Sequence, residues 1–152
     1  MRTPYDVGIS TAQLYIETPA DGTIIENTSD ALLAKLNRAK SLARGGHPNL
    51  RKECGIWLRD AGERFCKEIL VKDRRQKGDM AASLTHYDGK TMEWLFPKME
   101  HLLDRDASHP GKFTVFKNTV NNACHDNSPP NSAAMTQAHG EIRSLVKEYL
   151  GR

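Results

Sequence analysis

At 152 residues and 17.0 kDa, the chain is long enough for one domain and too short for two ordinary ones. Hydrophobic residues make up 38% and charged residues 27%, with a mean hydropathy of −0.62, the balance of a polar globular domain and not of a disordered tail. No apolar stretch approaches the roughly 18 residues a bilayer span requires, and the opening Met-Arg-Thr-Pro-Tyr-Asp has no apolar signal-peptide core. Three cysteines without CxxC spacing point to a reducing compartment, the cytoplasm, and away from a disulfide scaffold. A Gly-rich phosphate loop, HExxH, GxSxG and GxGxxG are all missing, so several large enzyme classes fall away and no cofactor is expected.

Residues 1–27 read differently from the rest. Ala12-Gln13-Leu14-Tyr15-Ile16-Glu17 alternates apolar and polar, the turn-forming Pro19-Ala20-Asp21-Gly22 follows, and Thr23-Ile24-Ile25 comes next. A β-hairpin or an extended arm fits this pattern, with no further strand to pair with. From residue 28 the chain reads at helical period, predicting a domain over 28–152. Thr28, Ser29 or Asp30 caps a helix with Leu32, Leu33, Leu36, Ala39, Leu42 and Ala43 on its apolar face, stopped by Gly45-Gly46. Pro48 restarts the chain in a first helical turn. Leu50, Cys54, Trp57, Leu58, Ala61, Phe65 and Ile69 then form the stripe of the longest helix, which ends near Gly78.

Asp79 is positioned to cap a short helix through Ala81, Ala82 and Leu84 that breaks at Asp88-Gly89. Thr91 caps the next, with Met92, Leu95, Phe96, Met99, Leu102 and Leu103 on one face and Pro97 expected to kink it. A loop over 104–111 leads to a helix turning Phe113, Phe116, Val120, Ala123 and Cys124 inward. After the break at Asn127-Ser128-Pro129-Pro130-Asn131, Ser132 caps a last helix carrying Met135, Ala138, Ile142, Leu145, Val146 and Tyr149. The expected fold class is all-α: an antiparallel bundle of five to six helices behind a short N-terminal arm or hairpin.

Charge is unevenly distributed. Residues 35–77 hold thirteen Lys and Arg against five Asp and Glu, while residues 1–34 and 78–110 are both net acidic. Such a segment attracts polyanions, although Glu63–Lys67 and Glu68–Lys72 have the i,i+4 order that simply supports a solvated helix. The unpaired remainder falls at the end of the stretch, so Lys72, Arg74, Arg75 and Lys77 are the candidate phosphate contacts, to RNA or tRNA.

No histidine pairs with His, Cys or a carboxylate at the i,i+4 spacing of a helical metal site, and no metal is expected. Cys124-His125-Asp126 cannot form a triad, because consecutive helical side chains diverge by about 100°. Trp57 and Trp94 sit in apolar stripes and read as core or interface residues. Less ordinary is Asn118-Thr119-Val120-Asn121-Asn122-Ala123-Cys124-His125: asparagines weaken a helix, so Asn121 and Asn122 are candidates for contacting a partner helix, a ligand or a loop.

Arg59, Glu63 and Lys67 in an Arg-x3-Glu-x3-Lys pattern on a long helix, a short helical insert, and the late Asn121-x3-His125 resemble HEPN-type helical domains. They are also similar to the C-terminal helical tails of bacterial defence-associated P-loop ATPases. The resemblance spans about residues 30–150. It implies a dimer, or docking on a larger ATPase or effector, in an antiviral defence system, with a ribonuclease site in which a His acts as acid–base and an Arg stabilises phosphate charge. His125 matches the catalytic His. The Arg does not carry over: none occurs in the eleven residues before His125, and Asn121 stands in its place. Without a guanidinium the transition state loses a charge stabiliser. The expectation is therefore a non-enzymatic interaction module, or else a ribonuclease borrowing Arg51, Arg59 or Arg64 from the neighbouring helix.

Overall fold

A computed structural model describes residues 30–44, 47–124 and 130–152. The expected arm or hairpin over 1–27, the Gly45-Gly46 stop and the segment carrying His125 lie outside the described residues. Among the described residues all regular structure is helical: α1 (Ala31–Ala43), α2 (Pro48–Gln76), α3 (Met92–Met99), α4 (His109–Ala123) and α5 (Ser132–Leu150), with 3-10 turns at Leu84–Tyr87 and Glu100–Leu102. No helix among them is long and apolar enough to cross a membrane.

The chain divides into two units, Met1–Ala34 and Lys35–Arg152. In the first, Asp30 opens α1: its Oδ1 accepts the Leu33 N–H at 3.0 Å, satisfying a donor the helix itself leaves unpaired. The packing that follows lies within the second.

Each of the other α-helices meets α2. His47 Nδ1 accepts the Asn49 N–H and Pro48 occupies the first turn, where its missing donor costs nothing. The far end closes at Gly78, whose φ of 103° suits a residue without a Cβ. Lys35–Asp60 and Arg38–Glu53 set α1 antiparallel to α2, and the Cys54 thiol donates to the Ala39 carbonyl between them. Toward α4, Gly55 faces Ala123 and Gly62 faces Phe116, again antiparallel. A Cβ on Gly55 would lie 2.5 Å from that of Ala123, and one on Gly62 would lie 2.7 Å from both Met92 Sδ and Phe116 Cε2. These two glycines therefore let the backbones approach closely. The run of α5 is parallel to α2, with Arg51 on the Pro130 carbonyl at one end and Lys72 on the Tyr149 carbonyl at the other. Phe113 joins the core together, its ring centroid 5.9 Å from Phe65, 5.0 Å from Phe96 and 5.4 Å from Phe116.

Several local expectations are corrected. Asn131, not Ser132, caps α5: its Oδ1 accepts the Ala134 N–H, while the Ser132 hydroxyl donates to the Ala43 carbonyl. No helix starts at Asp79: its carboxylate binds Arg74 and accepts the Ala81 N–H, the chain turns there, and the 3-10 segment begins at Leu84. The 104–111 loop is shorter than expected, since His109, Pro110 and Gly111 already belong to α4. Pro97 is held inside α3, which tightens into 3-10 geometry from Glu100. Leu50, placed in the apolar stripe, is exposed.

Candidate functional site

Two clusters gather the side chains that carry chemistry. The first lies where α2, α3 and α4 meet. Arg59 contacts Glu63 one turn on (3.6 Å) and Glu93 of α3 (3.5 Å), and Glu93 accepts the Asn121 amide N–H at 3.1 Å. Burial pushes the Glu93 carboxyl up, but its own backbone N–H, the Asn121 amide, the Arg59 charge and the Thr91 hydroxyl together hold it below the usual carboxylate range. A carboxylate only accepts, which orients the amide: Nδ2 faces Glu93 and Oδ1 is left buried with no partner. Asn121 thus ties helices together, while Asn122, one residue on, is exposed. His125 lies outside the described residues.

The second cluster is the end of α2. Lys72 Nζ donates to the Tyr149 carbonyl (2.8 Å), and Arg75 Nε donates to the Ala82 carbonyl (3.0 Å). Arg74 grips Asp79 through Nε and Nη2 (3.0 and 2.7 Å) and reaches the Tyr87 hydroxyl at 3.5 Å, while Lys77 pairs with Asp73 at 3.0 Å. The four cations expected to be unpaired each have a partner inside the fold. Lys72 and Arg75 bind carbonyls of other segments, while Arg74 and Lys77 bind nearby carboxylates; Arg74 and Arg75 fix the turn after α2. The i,i+4 pairing is corrected as well: Glu63 meets Arg59 and Glu68 meets Arg64 (2.8 Å), the arginines one turn earlier, in place of Lys67 and Lys72. Beside these cations a cavity of about 500 Å³ opens between α2, the 3-10 turn at Leu84 and the end of α5.

A third grouping was not visible in the sequence. The Tyr149 hydroxyl accepts the Arg105 backbone N–H at 2.9 Å and meets His109 Nδ1 at 2.6 Å; Arg105 Nη1 donates to the Glu148 carbonyl at 2.7 Å, and its guanidinium lies over the Tyr149 ring. Arg105-x3-His109 looks inert as a loop motif. Starting α4 at His109 brings both residues onto one phenol, forty residues away in the chain. Only a tertiary contact creates this cluster, and no local pattern marks it.

The remaining candidates are quieter. Cys54 and Cys66 are buried, which pushes the Cys54 thiol up to about 11 and the Cys66 thiol higher still, so neither is a thiolate nucleophile at neutral pH. Cys124 caps α4. Trp57 is half-buried beneath the Lys35 ammonium, 5.7 Å from its ring centroid. Trp94, expected in the core or an interface, is 37% exposed and flanked by Lys90 and Lys98 at 4.5 and 4.3 Å. Among the described residues no group of three or more His, Cys, Asp or Glu is placed to hold a metal. No known protein family, curated protein or solved structure matches the chain.

Proposed function

We propose that this chain is a non-enzymatic, HEPN-like helical bundle. In this reading it acts in the bacterial cytoplasm as an interaction module, pairing with a second copy or docking on a larger ATPase or effector, in phage defence. One observation supports the absence of catalysis. Arg59, the cation that stands with Asn121, already faces two carboxylates, Glu63 and Glu93. A guanidinium so neutralised has little charge left for a transition-state phosphate. Size-exclusion chromatography with light scattering tests the pairing. Twice the monomer mass is expected, and a strict monomer at high concentration removes the dimer.

A metal-independent ribonuclease remains the second reading, favoured by Arg51. This arginine donates to the carbonyl of Pro130, five residues after His125 in the chain. RNA cleavage in EDTA that disappears in both His125→Ala and Arg51→Gln supports it; no cleavage, or cleavage unchanged by either substitution, removes it. Nucleic-acid binding through Lys72, Arg74, Arg75 and Lys77 predicts affinity that falls steeply with salt and a flatter slope once those charges are reversed.

A further inference from the structure

The cavity at the end of α2 combines two chemistries that a nucleic-acid surface does not need together. Its polar wall is Arg64, Lys72 and Arg75; its apolar lining is Val71, Leu84 and Leu150. Of the two other polar side chains, Gln76 is uncharged and Glu68 does not cancel the charge, because Arg64 (2.8 Å) and Arg152 (2.6 Å) already neutralise its carboxylate. Each wall cation is also fixed by a single bond: Arg64 through Nε to Glu68, Arg75 through Nε to the Ala82 carbonyl, and Lys72 to the Tyr149 carbonyl. No acceptor among the described residues takes the Nη groups of Arg64 or Arg75. Two guanidinium forks are therefore held in place with their terminal donors unused, so little side-chain entropy remains to be lost when an anion arrives.

We infer that this cavity binds a small organic phosphate monoester, its dianionic head between Arg64, Arg75 and Lys72 and its apolar body on Val71, Leu84 and Leu150. Guanidinium forks match phosphate oxygens in pairs. The volume, about 500 Å³, lies within the range of small-molecule sites. A phosphate backbone alone would gain nothing from the apolar lining, and an uncharged apolar ligand would leave the cations unmatched. Alkyl phosphates and nucleoside monophosphates share this chemistry.

Isothermal titration at low salt with hexyl phosphate, adenosine 5′-monophosphate, inorganic phosphate and 1-hexanol tests the inference. At least one of the two esters is expected to bind roughly ten-fold or more tightly than inorganic phosphate, and hexanol not measurably. The tighter ester identifies the source, alkyl or nucleotide. Arg75→Gln should weaken the ester roughly ten-fold or more, the scale of a charged hydrogen bond. Leu84→Ser should weaken the ester and leave inorganic phosphate unchanged; Leu84 is only half-buried, and circular dichroism checks that each variant folds. Neither ester binding at millimolar concentration overturns the inference, as does inorganic phosphate binding as tightly as both. So does a single-stranded oligonucleotide that binds with a steep salt dependence and is displaced by neither ester, because the cations would then serve a phosphate backbone.

Discussion

The two halves of α2 are held by different physics. Over residues 48–62 the helix approaches α4 closely through Gly55 and Gly62, with ion pairs to α1 and α3 at the edges of the contact. Over residues 63–76 it extends arginine and lysine arms to the Tyr149 carbonyl at the end of α5 and to a carboxylate and a carbonyl in the turn that follows the helix. Close packing has no slack, because a core at crystal density cannot absorb a methyl group without moving something. Among the described residues, Arg64 and Arg75 are each held by one bond at Nε and keep their terminal donors free. The first half is therefore suited to fixing the fold, and the second to presenting cations at a surface.

That contrast orders the expected effects of substitution. Phe113→Ala, at the meeting point of three other phenylalanines, should cost about 3–5 kcal/mol in urea unfolding. A loss below about 1 kcal/mol would mean the aromatic cluster repacks freely. Gly55→Ala is next, since its Cβ meets another Cβ that cannot rotate away. Overpacking of this kind costs about 1–3 kcal/mol, partly offset by the better helix propensity of alanine. Gly62→Ala should cost a comparable amount, because the buried Phe116 ring lies as close to the added Cβ as the more yielding Met92 thioether. A neutral Gly62→Ala would mean that the ring and the thioether move aside together.

A smaller effect is carried by pH. Burial lowers the His139 pKa from its ordinary 6.5, Lys40 and Arg143 repel its charged form, and the Leu36 carbonyl opposes them. Its Nε2 is buried without a partner, so protonation would strand a donor. The unfolded chain takes up the proton first, which makes stability rise with pH. The His139 contribution is intact above about pH 6.5, the unfolded value, and is lost as pH falls below it. Unfolding midpoints from pH 7.5 down to about pH 5 should fall, and His139→Gln should flatten that trend. An unchanged slope in the variant would assign the effect to other groups.

The smallest change is expected at Glu93→Gln. Glu93 is nearly half exposed, and such ion pairs contribute about 0–1 kcal/mol, less with added salt. A larger, salt-insensitive loss would place the Arg59–Glu93–Asn121 chain among the groups that hold α2, α3 and α4 together.

Much of the helical framework was legible from the sequence. Asp30 as one of three candidate caps, Thr91 as a cap, Pro48 in a first turn, Gly78 as a stop and the apolar faces of α2, α4 and α5 are local features. Helix period and unpaired end groups express themselves within one or two turns. The errors were also local in origin but tertiary in cause. Ser132 resembles a cap until the Ala43 carbonyl claims its hydroxyl and Asn131 takes the position. The candidate sites were legible only as residue types. Asn121 and the cations of 72–77 were singled out; their partners were not.

By itself the sequence determined that the described chain is helical, where most of its helices begin and which faces turn inward, because backbone hydrogen bonding and hydrophobic period act over a few residues. Tertiary structure alone decided that Glu93 stands between Arg59 and Asn121, that Arg105 and His109 share one phenol, and that Arg64, Lys72 and Arg75 wall a cavity lined by Leu84 and Leu150. Each joins residues tens of positions apart. What a charged side chain does depends on which partner the packed helices bring within reach.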